Sequence, residues 1–175
     1  MAPRRVHPEQ QEATTAEFKA LAHPLRLRIL RMCLHDAMTN QQFAQRLGLD
    51  PATTLHHVRT LVRTGFIAAE PLRTGTRGAL EKPYRATKRS WVLAIPRPGD
   101  RLTTVIASVD ALRAELLDAG AEALVTNTRL GLRLSDAEVA ELAERLKALM
   151  DDYAQRPATA GGRRVGLFAT LHHLP

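Results

Sequence analysis

The stretch MTNQQFAQRLGLDPATTLHHVRTLVRTG, residues 38–65, constrains this chain more than any other. It holds two complete sets of helix punctuation in immediate succession. Thr39 is an N-cap residue with Gln42 three positions on, the spacing of a capping box. Phe43, Ala44 and Leu47 supply the buried side, and Gly48 supplies a left-handed stop. Asp50 is a second N-cap, Pro51 fits the first helical position, and Gly65 closes the helix. Val58, Leu61 and Val62 are read as its inward face. Two short helices joined by three residues cannot run on as one rod. They must cross at a tight turn, the helix-turn-helix arrangement.

The flanking sequence extends the pattern. QQEATTAEFKALAH reads as a first helix, which Pro24 ends, and PLRLRILRMCLHD as a second, with Leu25, Ile29 and Cys33 on one line. After Gly65 the period changes. FIAAEPL and LEKPYRAT read as strands around the Gly- and Arg-bearing turn RTGTRGA, a hairpin with a basic tip. SWVLAIPRPGD, residues 90–100, is the expected domain boundary. Beyond it Leu102, Val105, Val109, Leu112 and Leu116 are spaced 3-4-3-4 on a long helix, a stripe read as a dimer interface. Ser135 and Glu138 cap another helix, whose stripe of Val139, Leu142, Leu146, Leu149 and Tyr153 is expected to pack on its own domain. TRLGLRL before that helix and RRVGLFATL after it read as short strands.

The expected fold is therefore mainly α with a small β component. Residues 1–8 form a disordered tip, 9–95 a winged helix-turn-helix domain, and 96–175 a dimerisation helix and a strand–helix–strand extension.

Charge narrows the class of partner. Residues 1–100 carry 16 Lys and Arg against 8 Asp and Glu, whereas residues 101–175 carry 9 against 10. All the excess positive charge sits with the helix-turn-helix, which points to a polyanion. A helix fits the major groove of B-DNA, and a basic hairpin can reach phosphates or the minor groove beside it. Cys33 is the only cysteine, so no intrachain disulfide forms and a reducing cytosol is expected. The N-terminal segment lacks the apolar run of a secretory signal. No stretch approaches the length of a transmembrane helix.

From about Glu17 to Trp91 the chain resembles the ArsR/SmtB-type winged-helix transcriptional repressors. The resemblance rests on FKALAHPLRLRIL, QQFAQRLGLDPATTLHHVRTLVRTGFI and RGALEKPYRAT. It implies a cytoplasmic homodimer that holds an operator in double-stranded DNA and releases it on a signal. Mapped onto this chain, the base-reading positions are Pro51, Ala52, Thr53, Leu55, His56 and Arg59. Backbone and wing contacts fall on Thr39, Gln41, Arg63, Arg73, Thr74, Arg77, Lys82 and Arg85. Pro51 and Leu55 are apolar where relatives often carry small polar residues, which shifts readout toward thymine methyl groups.

Many relatives sense metals, and that half of the pattern is missing. The stretch MTNQQFAQ stands where a cysteine pair would be, and the dimer helix has Asp110, Glu115 and Asp118 but no histidine. His56 and His57 are adjacent, hence about 100° apart on a helix, and do not converge on one ion. His56 is read as a DNA contact, His57 as a packing residue satisfied locally, and Cys33 as core filler. His172 and His173, adjacent on an expected strand, point to opposite faces. No cofactor is expected, and the effector is an unidentified small molecule if there is one. Enzyme chemistry is not expected, for want of a phosphate loop, paired cysteines or a nucleophile elbow. The alternative reading keeps the fold as a sequence-neutral nucleoid or protein-interaction module.

Overall fold

The computed structural model describes residues 11–75, 78–95 and 97–174. The expected disordered tip at 1–8 lies outside the described residues, as does Arg77. The chain divides into two compact units, Met1–Ala123 and Leu124–Pro175.

In the first unit, β1 (Gln11–Glu12) precedes α1 (Thr15–Leu21) and α2 (Pro24–Met32). The helix expected over 10–23 is shorter. Thr14 and Glu17 close a capping box, the Thr14 amide donating to Glu17 Oε2 at 2.8 Å. That cap fixes the helix start and leaves Gln11–Glu12 free to pair in parallel with β7 (Leu93–Ala94). At the other end Pro24 forces the preceding residue out of helical conformation. His23 lies at φ −146°, and its Nδ1 caps α2 by accepting from the Leu25 amide. Helix α2 stops at Met32, short of the expected Asp36. The Cys33 carbonyl instead accepts from the Ala86 amide at 3.0 Å, which ties the helix end to the sheet.

β2 (Met38–Thr39), α3 (Asn40–Leu47), α4 (Pro51–Arg63) and β3 (Ile67–Ala69) follow, then β4 (Arg73–Thr74), β5 (Leu80–Glu81) and β6 (Pro83–Ala86). One antiparallel sheet has the order β2-β6-β3, and β4 pairs with β5 beyond it. This is a winged helix-turn-helix, mainly helical with small sheets, as the sequence pattern requires. The strand expected over 66–72 covers only 67–69, because Pro71 has no amide for a ladder. Its partner, expected over 80–87, is split at Lys82 into β5 and β6.

The core gathers Ile29, Cys33, Phe43, Val58, Leu61, Phe66 and Ile67, all at most 1% exposed. Each large aliphatic or aromatic side chain buried this way stabilises the fold by roughly 1.5–3 kcal/mol. α5 (Pro98–Ala119) belongs to the same unit and packs against α1 and α2. Its inward residues are Ala107 and Ala111, small enough for close approach, and Arg28 pairs with Asp118 while Arg31 lies 3.4 Å from Glu115. A contiguous 3-4-3-4 stripe is left outward: Leu102, Val109 and Leu116 are exposed and Val105 and Leu112 half-buried.

The second unit is built on α6 (Asp136–Gln155), capped by Ser135, whose amide donates to Glu138 Oε2 at 2.8 Å. Ion pairs one turn apart run along it, Glu141 with Arg145 at 3.1 Å and Asp152 with Arg156 at 2.5 Å. On the expected packing stripe, Val139, Leu142 and Leu146 are half-buried, but Leu149 and Tyr153 are exposed. The strands expected at TRLGLRL and RRVGLFATL are absent among the described residues. Period-two patterning only licenses a strand; a ladder partner has to complete it, and neither segment has one here. No described helix is long and apolar enough to cross a membrane.

Candidate nucleic-acid interface

α3 and α4 meet at a turn that their own caps define. Thr39 Oγ1 accepts from the Gln42 amide at 3.2 Å, and the Gln42 side chain accepts from the Thr39 amide at 2.9 Å. Gly48 sits at φ 63°, a left-handed position costly for residues bearing a Cβ. The Leu49 amide then returns to the Ala44 carbonyl at 3.0 Å. Asp50 starts α4 by accepting from the Thr53 amide at 2.8 Å. Asn40, which sequence reasoning missed, spans the turn: its Nδ2 donates to the Pro51 carbonyl at 2.9 Å. Asn40 could have been suspected only as a polar residue at the start of α3 that the capping box leaves unused.

The inner line of α4 is Thr54, Val58 and Leu61, each fully buried. Thr54 conceals its hydroxyl by donating to the Asp50 carbonyl at 3.1 Å, which lets a threonine sit in an apolar seam. Val62, expected inward, is 40% exposed. It lies about 100° past Leu61 on the helix, beyond the contact line.

The outer face of α4 carries the expected reading row. Pro51, Ala52, Thr53, His56 and Arg59 are exposed, and Leu55 is half-buried beside them. Gln41 on α3 and Arg63 at the end of α4 are also exposed. Thr39 does not join them. It is 5% exposed, and its hydroxyl is used by the cap and its backbone by pairing with Pro83. Thr39 positions α3.

The hairpin corrects the expected charge. Arg73 Nε lies 3.1 Å from Glu81 Oε2 across the β4–β5 pair. Arg85 pairs with Glu70 and donates to the His35 carbonyl. Both arginines are bound within the chain, because strand register sets an acidic partner opposite or diagonal to each. Thr74 is exposed, and so is Lys82, whose Nζ stands 6.0 Å from the Tyr84 ring. Among the described residues Arg59, Arg63 and Lys82 enter no ion pair, so they carry the uncommitted positive charge of this face.

The two histidines separate as their 100° offset demands. His56 is exposed, with its ring edge-on to His57 at 5.6 Å. His57 turns inward and packs on His23 with ring centroids 4.7 Å apart. Its Nδ1 is buried without a hydrogen-bond partner, so the expected local satisfaction does not occur. Burial, reinforced by the nearby His23, Arg26 and His56, pushes the His57 imidazole down to about 4. Burial and Arg26 also hold His23 below its ordinary value. Cys33 is fully buried, its Sγ 3.2 Å from the Ile29 carbonyl, and burial pushes the thiol up to about 11. That environment disfavours the reactive thiolate.

Residues 21–69 match a family model described as a helix-turn-helix domain, a span that contains α3, the turn, α4 and β3. No curated protein matches the chain. Among solved structures, the transcriptional repressor BigR from Xylella fastidiosa is 16% identical with a TM-score of 0.34, covering 54% of this chain and 80% of BigR. ZitR from Lactococcus lactis, solved in complex with DNA, is 15% identical with a TM-score of 0.33, covering 74% of each chain. A mutant of MepR from S. aureus, bound to an oligodeoxyribonucleotide, is 16% identical with a TM-score of 0.32, covering 77% of this chain and 78% of MepR.

Proposed function

We propose that this protein is a sequence-specific DNA-binding transcriptional regulator, a cytosolic homodimeric repressor of the ArsR/SmtB type without the metal-sensing cysteines. The observation that carries this reading is the outer row of α4. Pro51, Ala52, Thr53 and His56 stand exposed on the N-terminal half of a helix held by caps at both junctions, and Arg59 follows one turn on from His56. That end of a recognition helix reads base edges in the major groove. Leu55 and Pro51 offer apolar contact to a thymine methyl, His56 a hydrogen bond, and Arg59 a bidentate or phosphate contact. Arg63 and Lys82 add phosphate contacts that fix register.

The outward stripe of α5, Leu102 to Leu116, supports the dimer, since a 3-4-3-4 row of Leu and Val matches a second copy of itself. A dimer places two reading helices on half-sites about one helical turn apart. The test is selection of bound duplexes from a random library at near-physiological salt. The expected result is an enriched inverted repeat. Binding without enrichment that vanishes as salt rises would replace this reading with a sequence-neutral one.

A further inference from the structure

We infer that the C-terminal unit, Leu124–Pro175, is a second self-association module, in which the segments flanking α6 pair as strands with those of a second copy of this chain. The inference rests on the homodimer proposed above and assigns it an interface separate from α5. It begins with two segments that the fold leaves unfinished. Residues 128–134 place Leu130, Leu132 and Leu134 on one face, and residues 163–171 place Val165 and Leu167 likewise, the alternation of half-buried strands. Yet Leu130, Leu132, Val165 and Leu167 are 73%, 56%, 75% and 69% exposed. Among the described residues no strand ladder includes either segment. The chain just beyond the second segment approaches the first, since a β-carbon at Gly131 would lie 4.0 Å from Leu174 Cδ1.

Pairing inside one copy would give only a two-stranded ribbon, below the roughly four to six strands of most sheets. Two copies give four strands backed by two α6 helices, a size that stands on its own. Charge fits the same occupant. α6 carries six acidic against two basic residues, and the segments on either side carry four arginines and no acid. A two-fold partner therefore sets net-basic segments beside a net-acidic helix, over and above the ion pairs that Glu141, Asp151 and Asp152 already make along α6. The area suffices as well. Burying a Leu or Val removes roughly 60–120 Å², so the exposed residues of both segments, with Leu149 and Tyr153 of α6, bring the total for two copies to about 1,000 Å², where specific interfaces begin.

The experiment uses the full chain and its L132E/L167E variant, with sedimentation equilibrium for self-association and amide hydrogen exchange for location. The parent should protect amides in 128–134 and 163–171 at concentrations where it is dimeric and lose that protection on dilution. The variant should dissociate at least about 100-fold more readily, each buried leucine being worth about a factor of ten or more, while α4 amides stay protected. Segments unprotected in the dimeric parent would overturn the inference, as would protection that persists on dilution to single chains. V109E isolates the α5 interface: a V109E protein that stays dimeric with both segments protected removes the α5 reading and leaves this one standing.

Discussion

The imidazole of His57 on the reading helix packs against that of His23 at the N-cap of α2, ring centroids 4.7 Å apart and tilted by 56°. Both rings are held below their ordinary titration range by burial, with Arg26 adding to the effect. The contact that seats α4 on α2 is therefore one between uncharged rings.

Stability should consequently fall on mild acidification. Folded His57 takes a proton at about 4, against 6.5 for the free side chain. The unfolded chain thus binds more protons between those values, and stability is complete above about pH 6.5 and lost as pH drops toward 4. Thermal unfolding from pH 7.5 to 5 should show a declining Tm, flattened in His57→Gln. Identical slopes in parent and variant would remove His57 from this account.

DNA binding should separate readout from grip. His56→Ala should lower affinity for the selected site more than for random DNA, by about 1–3 kcal/mol of discrimination. Arg63→Ala should weaken both equally and reduce the salt slope by about one unit. Arg73→Ala should matter less, since Glu81 already holds that guanidinium. Glu81→Gln should release it and tighten binding to every duplex. Unchanged affinity in Glu81→Gln would show that Arg73 does not reach the nucleic acid.

The α5 stripe should govern oligomer state and, through it, operator occupancy. Val109 is 41% exposed and central in the row, so Val109→Glu should weaken self-association at least about tenfold, as a charge buried unpaired opposite its own copy. Mass photometry across a dilution series reads this directly. A parent-like dilution curve would exclude α5 as an interface.

Cys33 should ignore thiol reagents in the native state. With its Sγ buried at the end of α2 and the thiol at about 11, modification by Ellman's reagent at pH 8 should wait for unfolding. Rapid labelling of folded protein would contradict the packing described.

The readable part of this chain was its punctuation. Thr39 with Gln42, Gly48, and Asp50 with Pro51 are local signals whose chemistry acts within four residues, and each does in the structure what its spacing implies. What escaped sequence reasoning depends on distant partners. Whether Arg73 is free turns on the register that brings Glu81 across the hairpin. Whether His57 is satisfied turns on a ring thirty-four positions earlier, at His23. Val62 faces outward for a smaller reason, a rotation of one residue on a helix whose buried line runs through Thr54, a polar residue that hides its hydroxyl. The segments around α6 have strand patterning but, among the described residues, no strand partner, because period-two alternation is local and a ladder is not.

Thr39 belongs to two mechanical systems at once. Its side chain starts α3, and its backbone is the rung that pairs with Pro83 of the wing strand. Asn40, the next residue, holds the first peptide of α4. Reading helix, scaffold helix and wing are thus bolted through two consecutive residues and form one stiff tool head. Displacing either residue would therefore disturb all three elements together, not one of them alone.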